Sequence, residues 1–209
     1  MSSTGDTMAI RQCQLETDLD ALYDICLRTG AAGDDATELM TDARLLGEVF
    51  AAPYAVLEPD HAFVLDDGTG RAVGYVLGAR DVTDFEQRAE AEWWPALRQR
   101  YPEGSGEGLD SILVAMIHHR DPPEADLTDR YPSELHIDLL PAAQGRGWGR
   151  RMIDHLLTSL REAGSIGVHL GTSTANTRAI AFYRRLGFTE LGTDGITVRF
   201  ARTLDTPRP

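Results

Sequence analysis

The sequence predicts an α/β fold of the α+β kind, a mixed and mostly antiparallel central sheet flanked by helices, and three local patterns carry that prediction. Residues 61–65 and 72–79 are apolar or alternating and flank Asp66-Asp67-Gly68-Thr69-Gly70, the pattern of an antiparallel hairpin. A strand ending at Leu139-Leu140 enters the turn Gln144-Gly145-Arg146-Gly147-Trp148-Gly149-Arg150, after which Met152, Ile153, Leu156, Leu157 and Leu160 keep the spacing of an amphipathic helix. Residues 189–191 and 196–200 form a second hairpin around 192–195.

In chain order, 10–13 reads as a first strand, and Asp18 as the N-cap of a helix with Leu19, Leu22, Tyr23, Ile25 and Cys26 on its apolar stripe, ending near Gly30. The stretch 31–38 is small and acidic, a mobile loop by composition, before Thr41 or Asp42 caps a second helix through Leu45, Leu46, Val49 and Phe50. After the first hairpin, Thr83-Asp84-Phe85-Glu86 has the form of a capping box, so 83–100 is expected to be one helix, stopping before Pro102. Residues 103–132 are loop-rich and read as an insertion; 109–119 within it is apolar enough for either strand or helix. Residues 133–139 and 166–170 are strands. Between the second of these and the last hairpin, 176–187 is a short helix closed by Gly187.

At 209 residues and 42% hydrophobic, the chain suffices for one well-buried core, and it is read as one unit, 1–209. No segment approaches the roughly 20 apolar residues of a membrane span. Residues 1–7 lack a charged and then apolar leader, so a cytoplasmic location is expected. Cys13 and Cys26 are too few for a disulfide framework or a zinc cluster and read as packing residues. His118-His119 lacks the further ligands of a metal site, and no metal is expected. Trp93-Trp94 reads as core or lid rather than as a binding platform.

All 20 basic residues are arginines, and they are segregated: through Ala143 there are 10 against 28 acidic residues, and beyond it 10 against 5. A basic C-terminal part suits an anionic ligand. The acidic remainder argues against nucleic acid and either attracts a cationic partner or serves solubility.

The turn 144–150 is itself either a tight connection or a phosphate cradle. Amides at a helix N-terminus are unpaired and carry the positive end of the helix dipole, glycine removes the Cβ that would block approach, and Arg146, Arg150 and Arg151 add charge at the same mouth. The downstream run Asn176-Thr177-Arg178-Ala179-Ile180-Ala181-Phe182-Tyr183-Arg184-Arg185-Leu186-Gly187-Phe188 decides between them. Together the two segments resemble the Gcn5-related N-acetyltransferase (GNAT) family, closely over 134–200. His136-x-Asp138-x-Leu140-Pro141 before the glycine turn is also similar to the acetyltransferase-like C-terminal domain of O-GlcNAc hydrolases.

The resemblance implies a GNAT fold, its sheet splayed between strands 4 and 5 to admit coenzyme A, and direct transfer of an acetyl group from acetyl-CoA to an amine. It divides the chain into an acceptor-side part 8–100, the insertion 101–132 and an acetyl-CoA-binding part 133–204. It implies cofactor contacts at Ile137, Asp138, Leu139, Gln144, Gly145, Arg146, Gly147, Trp148, Gly149, Arg150, Asn176, Ala179 and Tyr183. Tyr183 takes the general-acid position, with aromatic packing beside Phe182 as the plain alternative.

Glu134, His136 and Asp138 alternate onto one face of a central strand, which implies a cavity, a solvated strand edge or a structural His–Asp pair; a bulge in this strand would alter which of them face the cofactor. As general base they rank Asp138, His136, Glu134, because the family's usual glutamate position is here Gly171. The absence of lysine excludes self-acetylation on that side chain. The implied partner is a cationic small-molecule or peptide amine, with the protein a monomer or homodimer. A weakly active or inactive CoA-binding module is the rival reading, and another acyl-CoA the alternative donor.

Overall fold

The computed structural model of the chain describes residues 8–204; the stretch 1–7, read above for a leader, and 205–209 lie outside the described residues. Strands β1 (Ala9–Gln12), β2 (Ala62–Asp66), β3 (Ala72–Ala79), β4 (Ser133–Leu139), β5 (Gly167–Ser173), β6 (Thr189–Thr193) and β7 (Thr197–Thr203) form a seven-stranded sheet in the order β1-β2-β3-β4-β5-β7-β6. Every neighbouring pair is antiparallel except β4 and β5. The mixed, mostly antiparallel sheet of the sequence reading is therefore present.

Its helices are α1 (Leu15–Leu27), α2 (Leu45–Phe50), α3 (Ala52–Leu57), α4 (Val82–Glu92), α5 (Trp94–Arg100), α6 (Gly108–His118), α7 (Ala125–Thr128), α8 (Trp148–Glu162) and α9 (Thr177–Arg185). β2 and β3 are buried at every residue because helices cover both faces. A Cβ on Gly78 would lie 3.0 Å from Leu156 of α8, whereas Tyr75, on the opposite face by strand alternation, meets Cys26 of α1. Met152, Ile153, Leu156, Leu157 and Leu160 are all buried, each contributing about 1.5–3 kcal/mol of transfer free energy.

The β4–β5 pairing covers only Ser133 with Val168 and Glu134 with His169, and beyond these pairs the strands part. The closed end of this V is pinned. Ser133 Oγ donates to the Ser165 hydroxyl at 2.6 Å, and the His169 ring meets the Tyr131 carbonyl at 2.7 Å. Any Cβ on Gly167 would lie 2.5 Å from the Arg130 carbonyl, so only glycine admits that approach.

Several local expectations are corrected. α1 begins at Leu15, not after Asp18; Asp18 lies within the first turn, accepts the Gln14 amide at 2.8 Å and is clasped by Arg11, which neutralises its buried charge. Asp42 accepts the Arg44 amide rather than capping α2 directly. Asp81 rather than Thr83 caps α4, taking the Thr83 and Asp84 amides, and the expected single helix 83–100 breaks at Trp93, with Pro95 opening the next segment. Residues 108–118, open between strand and helix, are helical, with Leu113, Val114 and Ile117 turned into the core. The stretch 31–38 carries a β-bridge, Ala31 to Asp34, and a 3-10 turn at Thr37–Leu39. Trp94 is buried, and the Trp93 indole donates to the Glu48 carbonyl at 3.0 Å, so neither tryptophan is a platform.

Candidate functional site

At the open end of the V, the glycine turn meets the start of α8. Gly145 and Gly147 have φ of 73° and 80°, a left-handed backbone that side chains disfavour, and nothing lies within 4 Å of either Cβ position. Gly147 precedes the 15-residue α8 without a side-chain cap, so the positive end of the helix dipole opens at the glycine turn. Gly149 is required for a different reason, since a Cβ there would lie 3.1 Å from the Phe182 ring of α9. Gln144 ties the turn back by donating to the Leu139 carbonyl at 2.8 Å.

These elements bound a cleft of about 450 Å³. Of the expected cofactor residues, Ile137, Asp138, Leu139, Gln144, Gly145, Gly147, Gly149, Arg150, Asn176, Ala179 and Tyr183 line it. Arg146 and Trp148 do not; the Trp148 ring is buried in the core with the Arg151 guanidinium 4.6 Å above it. Sequence reasoning missed Thr29, Gly33, Arg178 and Arg185 on the same wall. Thr29 and Gly33 come from the end of α1, distant in sequence. Arg178 and Arg185 stand on α9 within the quoted motif, and their charge was the available signal.

A second cleft, of about 500 Å³, adjoins the first and shares Tyr183, Asp138, Ile137, Ala179 and Asn176 with it. Glu134, His136 and Asp138 do share a face, the one under α2 and α3. The β3–β4 register runs unbroken from Glu134 to Leu139, so no bulge reorients them. Tyr54 donates to Glu134 at 2.7 Å, Tyr75 to Asp138 at 2.6 Å, and the His136 ring bridges the Phe50 carbonyl at 2.6 Å and Asp138 at 3.1 Å. Burial opposes charge on His136, but the Asp138 carboxylate beside it prevails, and the imidazole titrates above its ordinary value. Burial pushes the Cys26 thiol, also on this cleft, up to about 12, so it remains protonated.

Tyr183 is buried among Phe182, Phe188 and Phe200, with ring centroids 5.5, 5.6 and 5.7 Å away. Burial, reinforced by the charge of Asp138, raises its phenol, which stays protonated. The Schellman turn at Gly187, where the Phe188 amide donates to the Tyr183 carbonyl at 3.1 Å, sets its position. Asn176 caps α9 by accepting the Ala179 amide at 3.0 Å. At Gly171 an added Cβ would stand 2.9 Å from the Thr197 methyl. His118 and His119 are occupied by the Tyr101 carbonyl and Glu103, and no cluster of metal-ligating side chains occurs among the described residues. None of their helices is long and apolar enough to cross a membrane.

A seven-stranded sheet splayed at its one parallel pair, with a helix N-terminus at the opening, is an acetyltransferase (GNAT) fold, and a solved structure shares it. The crystal structure of SsHAT superposes at TM-score 0.87 with 43% identity, covering 95% of this chain and 98% of that one. The acetyltransferase (GNAT) family profile matches residues 33–188, and the chain belongs to that family. It is 29% identical over 152 residues to protein O-GlcNAcase of Rattus norvegicus, covering 70% of this chain and 16% of that protein. With the mycothiol acetyltransferase of Beutenbergia cavernae it shares 32% identity over 162 residues, covering 77% of this chain and 51% of that protein. The chain thus spans about half or less of these curated relatives.

Proposed function

We propose that the chain is an N-acetyltransferase that moves the acetyl group of acetyl-CoA to an amine within one ternary complex. The observation that carries the reading is the junction of the two clefts, where Tyr183 and Asp138 line both. The residues present fit acetyl-CoA. An uncapped helix N-terminus and two open glycines suit a pyrophosphate, Arg150 and Arg185 suit its charge, and the β4 edge beyond Glu134, unpaired on the β5 side, suits the amide-bearing arm as an added strand.

Acetyl-CoA, when bound, supplies an acyl thioester. The β4 edge amides would hold its carbonyl. The His136–Asp138 pair would accept the proton that the attacking amine must lose and release it to solvent, and Tyr183 would give its phenolic proton to the departing thiolate and regain one from solvent. Cys26, held protonated, carries no acyl group, in keeping with direct attack. The parts 8–100 and 133–204 divide the work between acceptor and cofactor, and a cytoplasmic location goes with the use of acetyl-CoA.

Gly171 favours a second reading, a CoA-binding module without transferase activity, because Thr197 fills the space where the family's usual base would start. Thiol release from acetyl-CoA, measured with a panel of polyamines, amino acids and peptides, separates the two. Amine-dependent release supports transfer; tight CoA binding with no release supports the module.

A further inference from the structure

We infer that the acceptor is a small primary amine that carries no carboxylate, its cationic or donor groups facing Glu134 and Asp138. The inference rests on the transferase reading, and what carries it is the charge content of the acceptor cleft. Its carboxyl and imidazole side chains are Glu134, His136 and Asp138, and no arginine is among its lining residues. The remaining wall is largely apolar, including Leu46, Phe50, Met116 and Ile196.

Arginines on the surrounding elements are committed elsewhere. Arg44 pairs with Asp20, Arg100 with Glu48, Arg120 with Glu86, and Arg178, on the cofactor side, with Asp34. An α-carboxylate entering here would lose water, meet apolar surface and find two like charges, while the cleft's one imidazole, His136, is already held by Asp138 and the Phe50 carbonyl; an amine meets two acceptors.

One part of the wall comes from the segment between β3 and β4. These are antiparallel neighbours that a two-residue turn could join, yet 80–132 intervenes with four helices. α6 brings Met116 to the cleft, and Asp110 fixes that helix by accepting the Thr41 and Asp42 amides at 3.0 and 2.9 Å. Leu46 and Phe50 of α2 and Ile196 before β7 complete the apolar wall.

The test uses pairs that differ only in a carboxylate: agmatine with arginine, putrescine with ornithine, tyramine with tyrosine. Binding is measured by calorimetry on the CoA-saturated protein, and turnover by thiol release. The amine of each pair should bind, and should exceed the amino acid by more than about 100-fold in Kd or kcat/KM. Equal binding within pairs, preference for the amino acid, or no binding by either member overturns the inference. Amine binding without thiol release upholds it and removes the transferase reading instead. Ile196→Arg, at a position 77% exposed and so harmless to folding, should narrow the ratio about tenfold by adding a cation at the mouth. A ratio unchanged by that substitution also overturns it.

Discussion

Tyr183 shows how one residue joins packing to proposed chemistry. Its ring is held by three phenylalanines while its residue lines both clefts, so Tyr183→Phe keeps the packing and removes only the proton. The expected result is a kcat lowered about 100-fold with CoA affinity within about twofold of the parent, read by steady-state kinetics and calorimetry. The His136–Asp138 pair makes a prediction in pH. Asp138 favours the imidazolium, so His136 titrates above 6.5 and becomes a base only as pH rises past that raised value. kcat/KM should therefore climb through an apparent pKa above 6.5 in the parent. In Asp138→Asn, with burial then opposed only by the Phe50 carbonyl and the more weakly acting Glu134, the acid limb should move to lower pH. A limb that stays in place means another group supplies the base.

Among the elements, α8 has the most demanding start. Gly147 holds a left-handed backbone with open space around it, so Gly147→Ala carries a backbone cost of about 1–2 kcal/mol and sets a methyl in the cradle. Thermal unfolding should fall by roughly 3–6 °C, and CoA affinity by about tenfold. Gly164→Ala is the control. Its φ of 90° and open Cβ position impose the same strain just past the other end of the helix, so stability should drop while CoA affinity does not. Equal affinity loss in both variants would show that the effect travels through stability alone.

For the molecule as a whole, Arg11 ties the sheet edge together, gripping Asp18 of α1 and Asp66 of β2 from β1. Burial alone would raise the Asp18 carboxyl, but Arg11 and the Gln14 amide hold it below its ordinary value. Its contribution is thus present above pH 3.8 and lost as pH falls through the lower folded value. Asp18→Asn should cost about 3 kcal/mol at neutral pH, a difference that shrinks on acidification below pH 4 in denaturant titrations.

What the sequence by itself determined is what short-range pattern encodes: the hairpins, the period of α8, the glycine turn, the Asn176–Phe188 motif and the shared face of Glu134, His136 and Asp138. Each depends on residues within a turn or a strand of one another. The tertiary structure alone decided the rest. The expected cap at Asp18 was taken by Arg11 of β1, and 108–118 became helix because its apolar side packs against α2 and α5. Thr29, Gly33, Phe50 and Tyr54 reached the clefts from more than 80 residues away, and β4 parted from β5 where pinned contacts at Ser133 and Tyr131 give out. Such contacts are made between segments remote in the chain, and local periodicity holds no information about which segments meet.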